Sequence, residues 1–314
     1  MPNSIGVVIP CYLGGDTTLK LISEILIYAN KIVLVDDNCP LKTGEKVLES
    51  DLRDKIHVIF NNKNLGVGAS TKKGFNWLIS QKCNIILKMD ADYQMYPSDI
   101  PRMCEPIMKR ECQATKGNRF FDIDNLLKMP KIRLIGNTFL NYLSKFSTGY
   151  WDISDPTNGF LAFNLETLKK IDFHKTDNRF FFETEILFRC SIKNINIINV
   201  PIEANYKNHL SSLSPIKEII PFFLKNIRLL FKRIIYQYFL FDFNIGSIEL
   251  IFSVIFSFSS ILLGSYLFLK SYITYKFSSP GMVSIFTILS IFSLQFLLAF
   301  VHYDSSLRFK NKKN

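Results

Sequence analysis

The 314-residue sequence predicts an α/β domain with a largely parallel sheet, followed by a pair of membrane-spanning helices. Three observations predict this. Short apolar runs alternate with amphipathic helical stretches between residues 5 and 90. Each apolar run stops at polar or acidic residues. Residues 250–269 and 277–301 carry no Asp, Glu, Lys or Arg, and each stretch matches the roughly 20 residues that cross a bilayer core.

Taken in order, IGVVIP (5–10) reads as a strand buried on both faces and ended by proline. TTLKLISEILIYA (17–29) has the apolar spacing of a helix, and KIVLVDD (31–37) is a second strand with an acidic end. GEKVLESDL (44–52) is a helix, KIHVIFN (55–61) a third strand, GASTKKGFNWLISQ (68–81) a helix and NIILKMD (84–90) a fourth strand. Such alternation implies right-handed crossovers and a parallel sheet, whose ligands bind beyond the carboxyl ends of the strands. Pro10 and Tyr12, Asp36 and Asp37, and Asp90 and Asp92 all fall at those ends. Beyond residue 99 the pattern is mixed. Helices are expected over 100–110, 132–145 and 179–192, with a dense turn at DPTNGF (155–160) and a last strand within INIINVPIEANY (195–206).

Ahead of the first charge-free stretch, Lys217, Lys225, Arg228, Lys232 and Arg233 alternate with apolar residues, opposed only by Glu218. This is the pattern of an amphipathic helix on a membrane, where each basic residue near an anionic leaflet gains about 1 kcal/mol. The formal charge of +11 is therefore assigned to a membrane surface; no nucleic-acid motif accompanies it. The expected organisation is a cytoplasmic α/β domain over 1–210, an amphipathic juxtamembrane region over 211–245, and a transmembrane hairpin with a basic tail over 246–314. Arg308, Lys310, Lys312 and Lys313 keep that tail cytoplasmic by the positive-inside tendency, and two spans put the α/β domain on the same side. No signal peptide is expected from MPNSIGVVIP, and the six cysteines lack zinc spacing, as in a reduced compartment.

The stretch LKMDADYQMYP (87–97) carries the strongest chemical signal. Two carboxylates this close raise each other's pKa unless a cation neutralises them, and oxygen ligands suit Mg²⁺ or Mn²⁺. Residues two apart in an extended chain share a face, so Asp90, Asp92 and Gln94 are expected to point together. By itself the stretch also fits a polar turn closing a strand. Asp37 can accept a hydrogen bond from a nucleobase or cap a helix. Gly66 and Gly68 allow close backbone approach ahead of a helix whose amino end favours anions, although the segment is neither GxGxxG nor a Walker A loop.

VVIPCY, VLVDDN, NLGVGAS, DADYQMYP, DPTNGF and FFFETEIL, in this order and spacing, resemble the family 2 glycosyltransferases with a GT-A fold. The resemblance covers about residues 5–205 and implies a Rossmann-like mixed sheet with helices on both faces. DxDxQ together with the hairpin is similar to the polyprenyl-phosphate glycosyltransferases of the dolichol-phosphate mannosyltransferase type. It implies a UDP- or GDP-sugar donor, a divalent metal and inversion at the anomeric carbon. Position by position, Pro10, Tyr12 and Asp37 would line the nucleobase, with Gly66 and Gly68 in the donor loop. Asp90 would sit by the ribose and diphosphate, Asp92 and Gln94 would ligate the metal, and Arg119 and Arg133 would meet an acceptor phosphate.

The acceptor decides the mechanism. A phosphomonoester is already anionic near neutrality and needs cations to place it, whereas a sugar hydroxyl needs a general base. Asp155 is the first candidate base, ahead of Glu183 and Glu185. The expected function is transfer to a polyprenyl (undecaprenyl or dolichyl) phosphate at the bilayer surface. The alternatives are transfer to a hydroxyl of a lipid-linked glycan in polysaccharide biosynthesis, and a non-catalytic membrane protein that binds a nucleotide-sugar. Self-association stays open.

Overall fold

The apolar run after Ser4 forms strand β1 (Ile5–Cys11), buried at every position after the first. Val7 and Ile9 enter one core and Val8 the other, as period-two alternation requires of a strand covered on both faces. The computed structural model describes residues 4–121, 131–203 and 215–311. β1 is joined in the sheet by β2 (Lys31–Asp36), β3 (His57–Phe60), β4 (Ile85–Lys88), β5 (Ala114–Asn118), β6 (Leu161–Asn164) and β7 (Ile197–Pro201). The order is β3-β2-β1-β4-β6-β5-β7. Only β6 runs against its neighbours, β4 and β5, so the sheet is mixed. The chain winds outward from β1 through β2 to β3 and then returns to β4 on the other side of β1. In sheets of this kind ligands bind where the strand order reverses, here beyond the carboxyl ends of β1 and β4.

Helices α1 (Gly15–Ile25), α2 (Thr43–Glu49), α3 (Val67–Ser80) and α4 (Ile100–Met108) fall where the apolar periodicity put them. α5 (Lys131–Thr148), α6 (Leu165–Lys170) and α7 (Phe182–Ile192) complete this part. Leu21, Ile25, Met103 and Ile107 from α1 and α4 cover one face of the sheet, and Phe75, Leu78, Phe182 and Ile186 from α3 and α7 cover the other. Each such side chain, fully buried, contributes about 1.5–3 kcal/mol. α3 sits so close to β1 that a Cβ on Gly74 would fall 2.0 Å from Val8 Cγ2. β5, β6 and α6 were not legible in the sequence. β5 reads ATKGN, with no alternation and a lysine at its centre, and owes its strand conformation to pairing with β6 and β7. None of the six cysteines forms a disulfide, and all are buried.

The chain divides into two compact units, Met1–Leu230 and Phe231–Asn314. Helix α8 (Pro215–Ile234) is amphipathic as expected, but its basic residues do not make one membrane face. Phe222 and Leu229 pack with Phe181 and Phe188, and Ser147 Oγ donates to Asn226 Oδ1 at 2.6 Å. Lys225 pairs with Asp177 at 2.6 Å, and Arg233 is buried against Asp304. Arg228 and Lys232 stay exposed beside Leu224 and Phe231, while the Lys217 side chain lies outside the described residues.

A π-helical turn (Ile235–Leu240) leads to α9 (Ile245–Thr274) and α10 (Pro280–Asn311), which pack as a hairpin. Both are long and apolar enough to cross a membrane. Ser257 meets Ser293 at 2.5 Å and Ser260 meets Ser290 at 2.7 Å, and a Cβ on Gly264 would fall 2.7 Å from the Phe286 ring. Small residues and paired hydroxyls are the means by which helices associate in lipid, where no hydrophobic force separates protein from solvent. Near the end of the hairpin, Asp304 accepts two hydrogen bonds from Arg233 and one from Tyr238.

Candidate active site

β4 delivers a charge into the sheet before it delivers the acids. Lys88, fully buried, pairs with Asp90 at 2.5 Å and with Glu183 of α7 at 3.1 Å. Lys88 and Asp90 are two apart and do share a face. Burial opposes the Lys88 charge, but Asp90 and Glu183 outweigh it and hold the ammonium above the ordinary lysine range. Burial raises the Glu183 carboxyl, with Lys88 pulling it back. A Cβ on Gly159 would lie 2.0 Å from Asp90 Oδ2 and 2.5 Å from Lys88 Nζ, so DPTNGF reaches this cluster only because it carries glycine there.

Past Lys88 the expected alternation fails. Residues 91–93 form a turn, and Tyr93 takes a left-handed conformation with φ 57. The chain is therefore not extended from Asp90 to Gln94, and the shared-face argument does not carry across it. The turn is instead fixed from α1. Thr18 Oγ1 donates to the Ala91 carbonyl at 3.2 Å, and Tyr93 OH donates to Glu24 at 2.5–2.6 Å. Within it, Asp92 Oδ1 accepts from the Gln94 amide at 3.1 Å. Asp92 and Gln94 offer a carboxylate and an amide oxygen, a hard donor set that fits Mg²⁺ or Mn²⁺. Among the described residues no group of three His, Cys, Asp or Glu could hold a metal alone. Two protein ligands suit a cation that shares substrate phosphates, as Mg²⁺ sites commonly do.

At the neighbouring strand ends, Pro10 pairs with Val35 in register and Tyr12 is 46% exposed beyond β1. Asp37 is buried, and its carboxylate serves the protein itself. Oδ1 accepts from Asn61 Nδ2 and the Leu65 amide, and Oδ2 accepts from the Gly66 amide at 2.7 Å. The anion just ahead of α3 is thus Asp37. The glycines are likewise explained from within. A Cβ would fall 2.5 Å from the Asn178 carbonyl at Gly66 (φ +98) and 2.3 Å from the Asp177 carbonyl at Gly68. Contrary to the sequence expectation, the close approach they permit is to the chain's own 177–178 backbone.

On the far side of DPTNGF, Asp155 is fully buried and paired with Arg119. Arg119 Nε donates to Oδ2 at 2.7 Å, Nη2 to Oδ1 at 3.0 Å, and the Arg119 amide to Oδ2 at 3.2 Å. Two residues assigned separate roles are therefore one unit. Both Asp155 carboxylate oxygens are thus engaged by the Arg119 fork. Arg133 lies in α5, with its side chain outside the described residues. Lys116 of β5, also fully buried, was missed by the sequence reading; its Nζ donates to the Asn158 carbonyl. Burial pushes Lys116 down to about 8 against the pull of Glu183 and Asp155. A lysine inside an apolar strand, as in IILKMD, was the available signal for Lys88.

Residues 6–172 match the family described as Glycosyl transferase family 2. The chain belongs to that family. It is, by that membership, a glycosyltransferase. The polyprenol monophosphomannose synthase of Mycolicibacterium smegmatis is 28% identical over 174 residues, 54% of this chain and 65% of that protein. The undecaprenyl-phosphate mannosyltransferase of Micrococcus luteus is 25% identical over 54% of this chain and 70% of its own length. The dolichol-phosphate mannosyltransferase of Pyrococcus furiosus is 26% identical over 63% of this chain and 55% of its own length. Thus the chain spans from about half to about two thirds of the length of these relatives. Among solved structures, the glucosyl-3-phosphoglycerate synthase of Mycobacterium tuberculosis with Mn²⁺, UDP and glucosyl-3-phosphoglycerate superimposes with a TM-score of 0.52 at 15% identity. That superposition covers 74% of this chain and 80% of that one, and it bears out the GT-A-type sheet.

Proposed function

We propose that this glycosyltransferase moves a sugar from a UDP- or GDP-sugar to a polyprenyl phosphate at the cytoplasmic face of a bilayer, with inversion. One observation carries the choice of acceptor. The carboxylate placed to act as a base, Asp155, is buried and occupied by Arg119, so the site favours an acceptor that arrives already deprotonated. The names of the relatives, which act on polyprenol, dolichyl and undecaprenyl phosphates, agree with it.

Pro10 and Tyr12 line the nucleobase, and Asp37 shapes that wall by holding residues 61–66. Asp90, held in place by Lys88, faces the ribose and diphosphate. Asp92 and Gln94 would hold a divalent cation, which would supply Lewis-acid neutralisation of the diphosphate. Arg119 and Arg133 place the acceptor phosphate, whose oxygen forms the new bond to the anomeric carbon as the bond to the diphosphate breaks on the opposite face. α9 and α10 span the membrane, the basic tail and the α/β domain lie on its cytoplasmic side, and Leu224 and Phe231 with Arg228 and Lys232 touch the leaflet.

The test is direct. The full chain in lipid, given Mn²⁺ or Mg²⁺, labelled UDP- and GDP-sugars and undecaprenyl or dolichyl phosphate, yields a lipid-phosphate sugar, and chelation stops it. No such product from any of these donors would sink the proposal.

A further inference from the structure

Three buried groups, Lys88, Lys116 and Glu183, lie between the donor and acceptor sides without a catalytic role, each 5% exposed or less. They complete a run of alternating charge. Asp90 pairs with Lys88 at 2.5 Å and Lys88 with Glu183 at 3.1 Å. Lys116 is buried beside the turn that Asp155 begins, and Asp155 pairs with Arg119 at 2.7 Å. The buried Lys88 thus has a carboxylate on either side, the pairing that a charge kept out of water requires. The two lysines also hold one piece of backbone. Lys116 Nζ donates to the Asn158 carbonyl and Lys88 Nζ to the Gly159 carbonyl at 3.4 Å. Gly159 in turn abuts Asp90, and Asp155 begins the same turn.

We propose that Glu183 is a positioning residue for both substrates, fixing through Lys88 and Lys116 the 155–159 turn that ties Asp90 on the donor side to Arg119 on the acceptor side. Resting on the roles proposed for Asp90 and Arg119, it adds a shared support whose loss is felt at both ends. Without the Glu183 charge, Lys88 keeps Asp90 as its one paired carboxylate, is drawn toward it and moves from the Gly159 carbonyl that it also meets. Donor and acceptor contacts then loosen together, although neither substrate touches Glu183.

The experiment compares full-chain wild type with Glu183→Gln, which keeps the shape and removes the charge. Binding of UDP and of GDP with Mn²⁺ is measured by calorimetry, and KM for undecaprenyl phosphate by product formation. Expected are rises of about tenfold or more in both the nucleotide Kd and the acceptor KM, the scale seen when outer-shell partners are lost. Ile186→Val, on the same helix and buried in the core, is the packing control. It lowers Tm and leaves both constants unchanged. If Glu183→Gln does not fold, Lys116→Met serves in its place with the same paired loss expected. A change confined to one constant, or to Tm alone, overturns the proposal while leaving the function standing. A wild type that binds neither nucleotide and forms no product overturns both.

Discussion

Asp155→Asn separates an ion-paired support from a general base. The substitution removes the charge beneath Arg119 and turns one acceptor oxygen into an amide donor opposite a guanidinium N–H, so at least one of the two side-chain hydrogen bonds is lost. Breaking a buried pair costs about 3–5 kcal/mol, and because the Arg119 side chain is 12% exposed and can recruit water, the lower end of about 3 kcal/mol applies. In a domain of this size each kcal/mol shifts Tm by about 2–4 °C, so a fall of about 6–12 °C is expected. The acceptor KM should rise along with it, since Arg119 loses its fixed direction. The assay is thermal unfolding of the full chain in detergent, paired with steady-state kinetics on undecaprenyl phosphate. A variant with unchanged Tm and acceptor KM but with kcat down by about 10³ would refute the reasoning, because general-base loss has that signature.

Gly159→Ala places a methyl 2.0 Å from Asp90 Oδ2 and should cost about 1–3 kcal/mol by overpacking; calorimetry with UDP or GDP should show weakened binding. Lys116, pushed by burial to about 8 from 10.5, binds fewer protons folded than unfolded between those values. Its contribution to stability therefore rises as pH climbs from about 8 to 10.5, and Tm measured across that range should gain in wild type relative to Lys116→Met. Asp304→Ala strands the buried Arg233 and should destabilise the hairpin unit by about 3–5 kcal/mol, while Arg228→Ala, at an exposed position, should stay within about 0.5 kcal/mol in the same unfolding assay.

Much of the sheet was legible because its first four strands are apolar runs with polar or acidic ends. β1, β2, β3 and β4 and the helices between them follow from a two-residue and a 3.6-residue period, each a property of local backbone geometry. The hairpin was legible for a related reason, since two long charge-free stretches form helices long and apolar enough to cross a membrane. β5 and β6 escaped because their partners, not their patterns, make them strands. The proposed donor residues stand as a set at strand ends, yet the chain is not extended from Asp90 to Gln94, since a turn with left-handed Tyr93 intervenes.

By itself the sequence determined the alternating α/β order and the apolar hairpin, and it put candidate acids at the strand ends. Only the tertiary structure decided how their charges pair. Arg119 and Asp155 lie 36 residues apart, and Lys88 and Glu183 lie further apart still, so no local period couples them. The partnership of a buried charge is set by what folds against it, because in a dry interior the nearest opposite charge fixes whether a group is a base, an anchor or a support.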